Sequence, residues 1–183
     1  FNAYPDTENY PFDDHTFHVT CGKGHSNIAK WLLKIKPGID IRSNSDFAFH
    51  NACINGNLYI AKWLLHICPQ IYNNLRSDST FAETCLLGQL DVVKWLFDIK
   101  YTSIDSSLNI DDVINSKKAN TDVVKWLFEV IPRLYSFDRR SNLVRAVELS
   151  CLTGDLELVK IIFEKQEEYI SENIDPSRVF ATV

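Results

Sequence analysis

A single phrase recurs along this chain and narrows its possible folds more than any other feature. It reads Ala29-Lys30-Trp31-Leu32-Leu33, then Ala61-Lys62-Trp63-Leu64-Leu65, Val93-Lys94-Trp95-Leu96-Phe97 and Val124-Lys125-Trp126-Leu127-Phe128, with a degenerate fifth copy, Val159-Lys160-Ile161-Ile162-Phe163. The anchors Trp31, Trp63, Trp95, Trp126 and Ile161 lie 32, 32, 31 and 35 residues apart. Ten residues upstream of an anchor stands Cys21, Cys53, Cys85 or Cys151, and seven upstream stands Gly24, Gly56, Gly88 or Gly154. Fourteen upstream stands Phe17, Phe49, Phe81 or Val147. A fixed period of this length marks an array of similar supersecondary units.

Each unit reads as a short helix with Phe and Cys on one face, a turn at Gly, and a second helix of apolar periodicity. Ile60, Trp63, Leu64 and Ile67 follow the i, i+3, i+4, i+7 pattern. Gly suits the left-handed conformation that closes the first helix. Asp14, Asp46 and Asp78, each three before the repeat Phe, are placed to accept from the free amides that open it. Pro37, Pro69 and Pro132, each six after the Trp, stop the second. Helices this short cannot bury an apolar face alone, so the units must stack and share a core. The Trp residues, beside their Leu pairs, are expected inside that core. An all-α helix-turn-helix solenoid follows.

Phe49-His50-Asn51-Ala52-Cys53-Ile54-Asn55-Gly56-Asn57-Leu58-Tyr59-Ile60-Ala61 resembles the ankyrin repeat, with His18 and His50 at the family's His position and Gly24-His25 as its Gly-His pair. The Ala-Cys opening, the Lys-Trp-Leu-Leu helix and the Ile-x-Pro ending are similar to ankyrin arrays of large DNA viruses of amoebae. The period nearer 32 than 33, and the missing Gly-Ala-Asp and Asp-Gly loop signals, predict non-standard loops in place of long β-hairpins. The resemblance implies that His18 and His50 form structural hydrogen bonds at the repeat turns. It also implies a protein-protein interaction module.

The phase divides the chain into 1–14 as the end of a preceding repeat, then repeats at 15–46, 47–78, 79–110, 111–144 and 145–177, with 178–183 opening another. Repeat 111–144 is divergent. Only 13 residues separate Val113 from Trp126, and Lys117, Lys118 and Ala119 replace the Cys and Gly, so its first helix should be short or irregular. The absence of Met, with both ends inside repeats, reads as a fragment of something longer.

Composition narrows the function. Nineteen Lys and Arg against 24 Asp and Glu, a net charge of -5, leave no basic footprint for nucleic acid. No apolar run suits a membrane span and no signal peptide opens the chain, so a soluble intracellular protein is expected, in host cytoplasm or virion if viral. Equivalent residues in stacked helices stand roughly 8–10 Å apart, beyond a disulfide or a shared zinc. Cys21, Cys53, Cys85 and Cys151 are therefore expected as small core residues, while Cys68 lies outside the pattern. No phosphate loop, nucleophile elbow or carboxylate pair is present, so no catalytic residue, cofactor, metal or small-molecule substrate is assigned. The Lys stripe on the second helices, with Asp91, Asp122 and Glu157 three residues before Lys94, Lys125 and Lys160, reads as a solvated face.

The remaining candidate surface is a groove. Ile54, Leu86 and Leu152 follow the repeat Cys at the position that faces the concave side in ankyrin-like stacks, and Leu87 extends the patch. Asn44, Asp46, Arg76 and Asp78 would form its polar rim. The expected function is to hold another protein along that concave face. Alternatives are a substrate-recruiting array of a larger ubiquitin-ligase adaptor or modifying enzyme, and a structural component of a virion assembly.

Overall fold

The computed structural model of the chain describes residues 12–74, 79–100, 113–114, 116, 119–131 and 140–173. All regular structure among them is helical, with no strand. The chain divides into two compact units, Phe1–Leu108 and Asn109–Val183.

The first unit holds α1 (Asp14–Gly22), α2 (Ser26–Ile35), α3 (Ser43–Ile54), α4 (Leu58–Ile67), the single turn α5 (Ile71–Asn74), α6 (Ser79–Leu86) and α7 (Leu90–Lys100). Each pair, α1 with α2, α3 with α4 and α6 with α7, is a hairpin, and α3 packs between α1 and α6. The turn glycines take the left-handed backbone, with φ of 83° at Gly24 and 75° at Gly56. At Gly24 a side chain would also meet Asn57, whose amide donates to the carbonyl of Gly22 at 2.7 Å and faces that of Cys21 at 3.3 Å. A residue of the second repeat thus satisfies the helix-end carbonyls of the first. Among the described residues the loops carry a short helix and turns, with no strand.

Stacking is aromatic. Trp63 lies 6.4 Å from Phe17, and Trp95 lies 6.2 Å from Phe49, so these two anchors each cover the Phe of the repeat before. The buried positions beside them are small or branched: Cys21, Ala29 and Leu32, then Cys53, Ala61 and Leu64, then Cys85, Val93 and Leu96. The Trp residues are not the core itself. Trp31 is 45% exposed, and Trp63, Trp95 and Trp126 are half-buried, because an indole at the seam between two repeats keeps one edge in solvent.

Two expected caps shift. The acceptor that opens α1 is Asp13, whose Oδ1 takes the Thr16 amide at 2.9 Å, while Asp14 accepts the Asp40 amide from across the loop at 3.0 Å. Asp46 pairs with Arg42, and Asn44, Ser45 and Asp46 occupy the left-handed region at φ of 53°, 59° and 64°. Such backbone costs an L-residue about 1–2 kcal/mol, least for Asn and Asp. It is held by the Arg42–Asp46 ion pair at 2.9 Å. Asp78 lies outside the described residues.

The second unit holds α8 (Thr121–Val130), α9 (Arg140–Thr153) and α10 (Leu156–Asn173). Asn120 caps α8 through bonds from the amides of Asp122 and Val123 at 3.1 and 3.2 Å. Asp155 caps α10 through the Leu158 amide at 3.2 Å and pairs with Lys125 of α8 at 2.8 Å. That bond lowers the Asp155 carboxyl and raises the Lys125 ammonium from their ordinary values. Val113 and Ile114 of the divergent repeat are buried, but most of its first helix lies outside the described residues. The core assignment fails at Cys151, which is exposed: α9 packs on α8 and α10, and its Cys151 flank stays open among the described residues.

Two outcomes follow. Leu64, fully buried, should lose about 2–5 kcal/mol on Leu64→Ala, and the half-exposed Trp31 less on Trp31→Ala, as read by urea titration. In the folded chain a thiol reagent should label Cys151 and half-exposed Cys68 at once and spare Cys21, Cys53 and Cys85 until urea is added. Burial pushes the Cys21 thiol up to about 12 and the other two higher still.

Candidate functional site

The first helices of the first unit meet their neighbours through polar pairs at their N-terminal ends. His18 on α1 faces the Ser43 hydroxyl on α3 across 2.8 Å, between Nε2 and Oγ. One repeat on, His50 on α3 meets Thr80 Oγ1 through Nδ1 and the Glu83 carboxylate through Nε2, each at 3.1 Å. With the proton on Nε2 the imidazole satisfies both, donating to Glu83 and accepting the Thr80 hydroxyl at Nδ1. The two repeat histidines therefore staple successive first helices, which is the structural role that the family resemblance implied.

Beside the second staple lies a cleft of about 550 Å³ whose wall includes Asn44, Asp46, Phe47, His50, Asn73 and Thr80. The left-handed turn shapes one side. It tucks Asp46 inward against Arg42, where the carboxylate is 3% exposed, and turns Phe47 outward to 39%. The Phe47 ring stacks on His50 at 6.0 Å and meets His18 edge-on at 5.5 Å. The result is an apolar ring framed by amide, hydroxyl and imidazole groups, suited to a side chain or backbone segment of a ligand rather than to bond-breaking chemistry.

Of the rim residues read from the sequence, Asn44 is exposed at this cleft, Asp46 lines it but is consumed by its ion pair, and Arg76 and Asp78 lie outside the described residues. Of the apolar strip, Ile54 and Leu86 are half-buried, whereas Leu87 is 53% exposed. Leu152, at 79%, belongs to the second unit and lines an apolar groove of about 620 Å³ with Val147, Cys151 and Phe163. Sequence reasoning missed Phe47. Its signal was there: the phase position held by Phe47 carries His15 and Ser79 in the flanking repeats, so a large apolar side chain stands where its equivalents are polar.

Among the described residues no group of three or more His, Cys, Asp or Glu side chains is placed to hold a metal ion, and no helix is long and apolar enough to cross a membrane.

The family model for ankyrin repeats, in three copies, matches residues 17–109, slightly more than half of the 183-residue chain. Comparison with curated proteins and with solved structures returns no match.

The first staple makes stability depend on pH. His18 is 1% exposed, its Nδ1 has no hydrogen-bond partner among the described residues, and burial lowers its pKa below the ordinary 6.5. The unfolded chain then binds a proton that the folded chain refuses, so His18's contribution is present above pH 6.5 and is lost as pH falls toward the lower folded value. Urea titrations should show stability falling over that interval, with a shallower decline in His18→Gln.

Proposed function

The chain belongs to the ankyrin-repeat family, whose arrays are protein-interaction modules, and on that premise we propose that it holds a partner protein along the concave side formed by its first helices. The observation that carries this reading is the cleft beside α3 and α6, where Phe47 is presented to solvent within a polar frame. An aromatic anchor ringed by hydrogen-bonding groups is the usual composition of an energetic centre in a protein interface. In this reading Leu87 extends the contact, with Ile54 and Leu86 supporting it from half-buried positions and Asn44 at its rim. Binding of this kind requires no group to change its covalent state, and the module is assigned no enzymatic step.

Rigid presentation is what the repeat supplies. The His50–Thr80 and His50–Glu83 contacts fix α3 against α6, so the cleft is in place before a ligand arrives and little ordering cost falls on the protein.

Peptides selected on the purified chain from a random display library provide the test. Phe47→Ala and Leu87→Asp should each weaken their binding at least tenfold, which is about 1.4 kcal/mol, with the melting temperature nearly unchanged. Leu86→Asp should instead lower the melting temperature, since that side chain is half-covered. Unchanged binding in both Phe47→Ala and Leu87→Asp would remove the concave side from consideration.

A further inference from the structure

The second helices carry a pattern that their role in stacking leaves unused. Four residues before each anchor stand Asn27, Tyr59, Asp91, Asp122 and Glu157, and one residue before it stands Lys30, Lys62, Lys94, Lys125 or Lys160. Three repeats thus set a carboxylate on the same helix face as the lysine, and in the fourth the pairing is formed, with Lys125 3.9 Å from Asp122 and 2.8 Å from Asp155. The first two repeats omit the acid. α2 and α4 contain no Asp or Glu at all, and among the described residues no carboxylate lies within ion-pair distance of Lys30, Lys34 or Lys62.

Aromatic groups stand in the acid's place. Lys30 Nζ donates to the Tyr59 hydroxyl at 2.6 Å and sits 4.9 Å from the centre of that ring and 5.8 Å from the Trp63 ring, while Lys62 Nζ is 5.8 Å from the Trp95 ring. Tyr59 is 61% exposed and Trp31 45%, and Lys30, Lys34, Lys62 and His66 are exposed beside them. A chain of net charge -5 therefore presents, on two adjacent helices, a solvent face of cations and rings without an anion. The rings order the ammonium groups without neutralising them, and each ammonium keeps donors for a carboxylate.

We propose that the solvent face of α2 and α4 docks a short acidic segment of a partner protein, its carboxylates pairing with Lys30, Lys34 and Lys62 and an apolar side chain among them resting on Tyr59 and Trp31. This surface is separate from the concave cleft and stands whether or not that cleft binds. Charge complementarity selects the occupant. A few carboxylates fit within a Debye length of the three lysines, about 10 Å at 0.1 M salt, whereas a nucleic acid strand would need a longer cationic track than a chain of net charge -5 supplies here.

The experiment is fluorescence anisotropy of a labelled synthetic peptide of about a dozen residues, Glu and Asp interspersed with Phe and Leu, titrated with the full chain at low salt. Binding is expected, weakened at least tenfold by raising salt from about 0.05 M to about 0.5 M, because exposed ion pairs are screened. The double variant Lys30→Glu with Lys62→Glu should lose binding at least tenfold, Lys30→Gln with Lys62→Gln less, and Lys94→Glu hardly at all, each with an unchanged helical melting curve. Leu87→Asp should bind this peptide like the parent chain, which separates the outcome from that of the concave cleft. No binding at protein concentrations up to about 1 mM, equal binding of a Gln-for-Glu peptide, undiminished binding in the double Glu variant, or comparable binding of an oligothymidylate would each overturn the proposal.

Discussion

What the first unit depends on is the contact between the aromatic residue of one repeat and the anchor of the next, Phe17 under Trp63 and Phe49 under Trp95. A two-helix hairpin of this length has one apolar side too many to be stable alone, and the neighbour's indole is what closes that side. Fully buried beside these contacts are large side chains, Phe17 and Leu64, and small ones, Cys21, Ala29, Ala52 and Ala61, which let helices approach closely. Cys21, Cys53 and Cys85 are there for their volume. Their burial suppresses the thiolate, which separates them physically from a reactive or metal-binding set.

Polar groups then set the register that apolar contact leaves loose. Asn57 reaching back to the end of α1, His18 to Ser43, and His50 to Thr80 and Glu83 each link a repeat to its neighbour through directional bonds. The hydrogen bonds also dictate where the surface is available. With His50 satisfied on both ring nitrogens, Phe47 is left as the outward group of the cleft, and with Asp46 spent on Arg42, its polar frame comes from amides and hydroxyls.

The second helices of the repeats answer to a different constraint. On them the lysine before the anchor has different company: a carboxylate for Lys125 of α8, rings for Lys30 of α2 and Lys62 of α4. A solvated face accounts for Lys125, which is paired. Beside Lys30 and Lys62 stand rings instead, the exposed Tyr59 and the half-buried Trp63 and Trp95.

The helix pairs, the glycine turns and the stops at Pro37 and Pro69 were legible in the sequence, because each is a local property: spacing along a helix, a backbone that only Gly adopts cheaply, a ring that ends a helix; Pro132 lies outside the described residues. Even the odd residue at Phe47 was visible as a break in phase. Burial was not legible, because it depends on a neighbour some 32 residues away and on which side of it the chain passes. The same Cys position is closed at Cys53, where α3 has a first helix on either side, and open at Cys151 on α9. Asp14 and Asp46 looked equivalent by spacing, yet one accepts an amide from across its loop and the other is locked to Arg42 by a left-handed turn. Spacing decides which residues can meet along one helix, but only packing decides which polar group is left without a partner and must find one elsewhere.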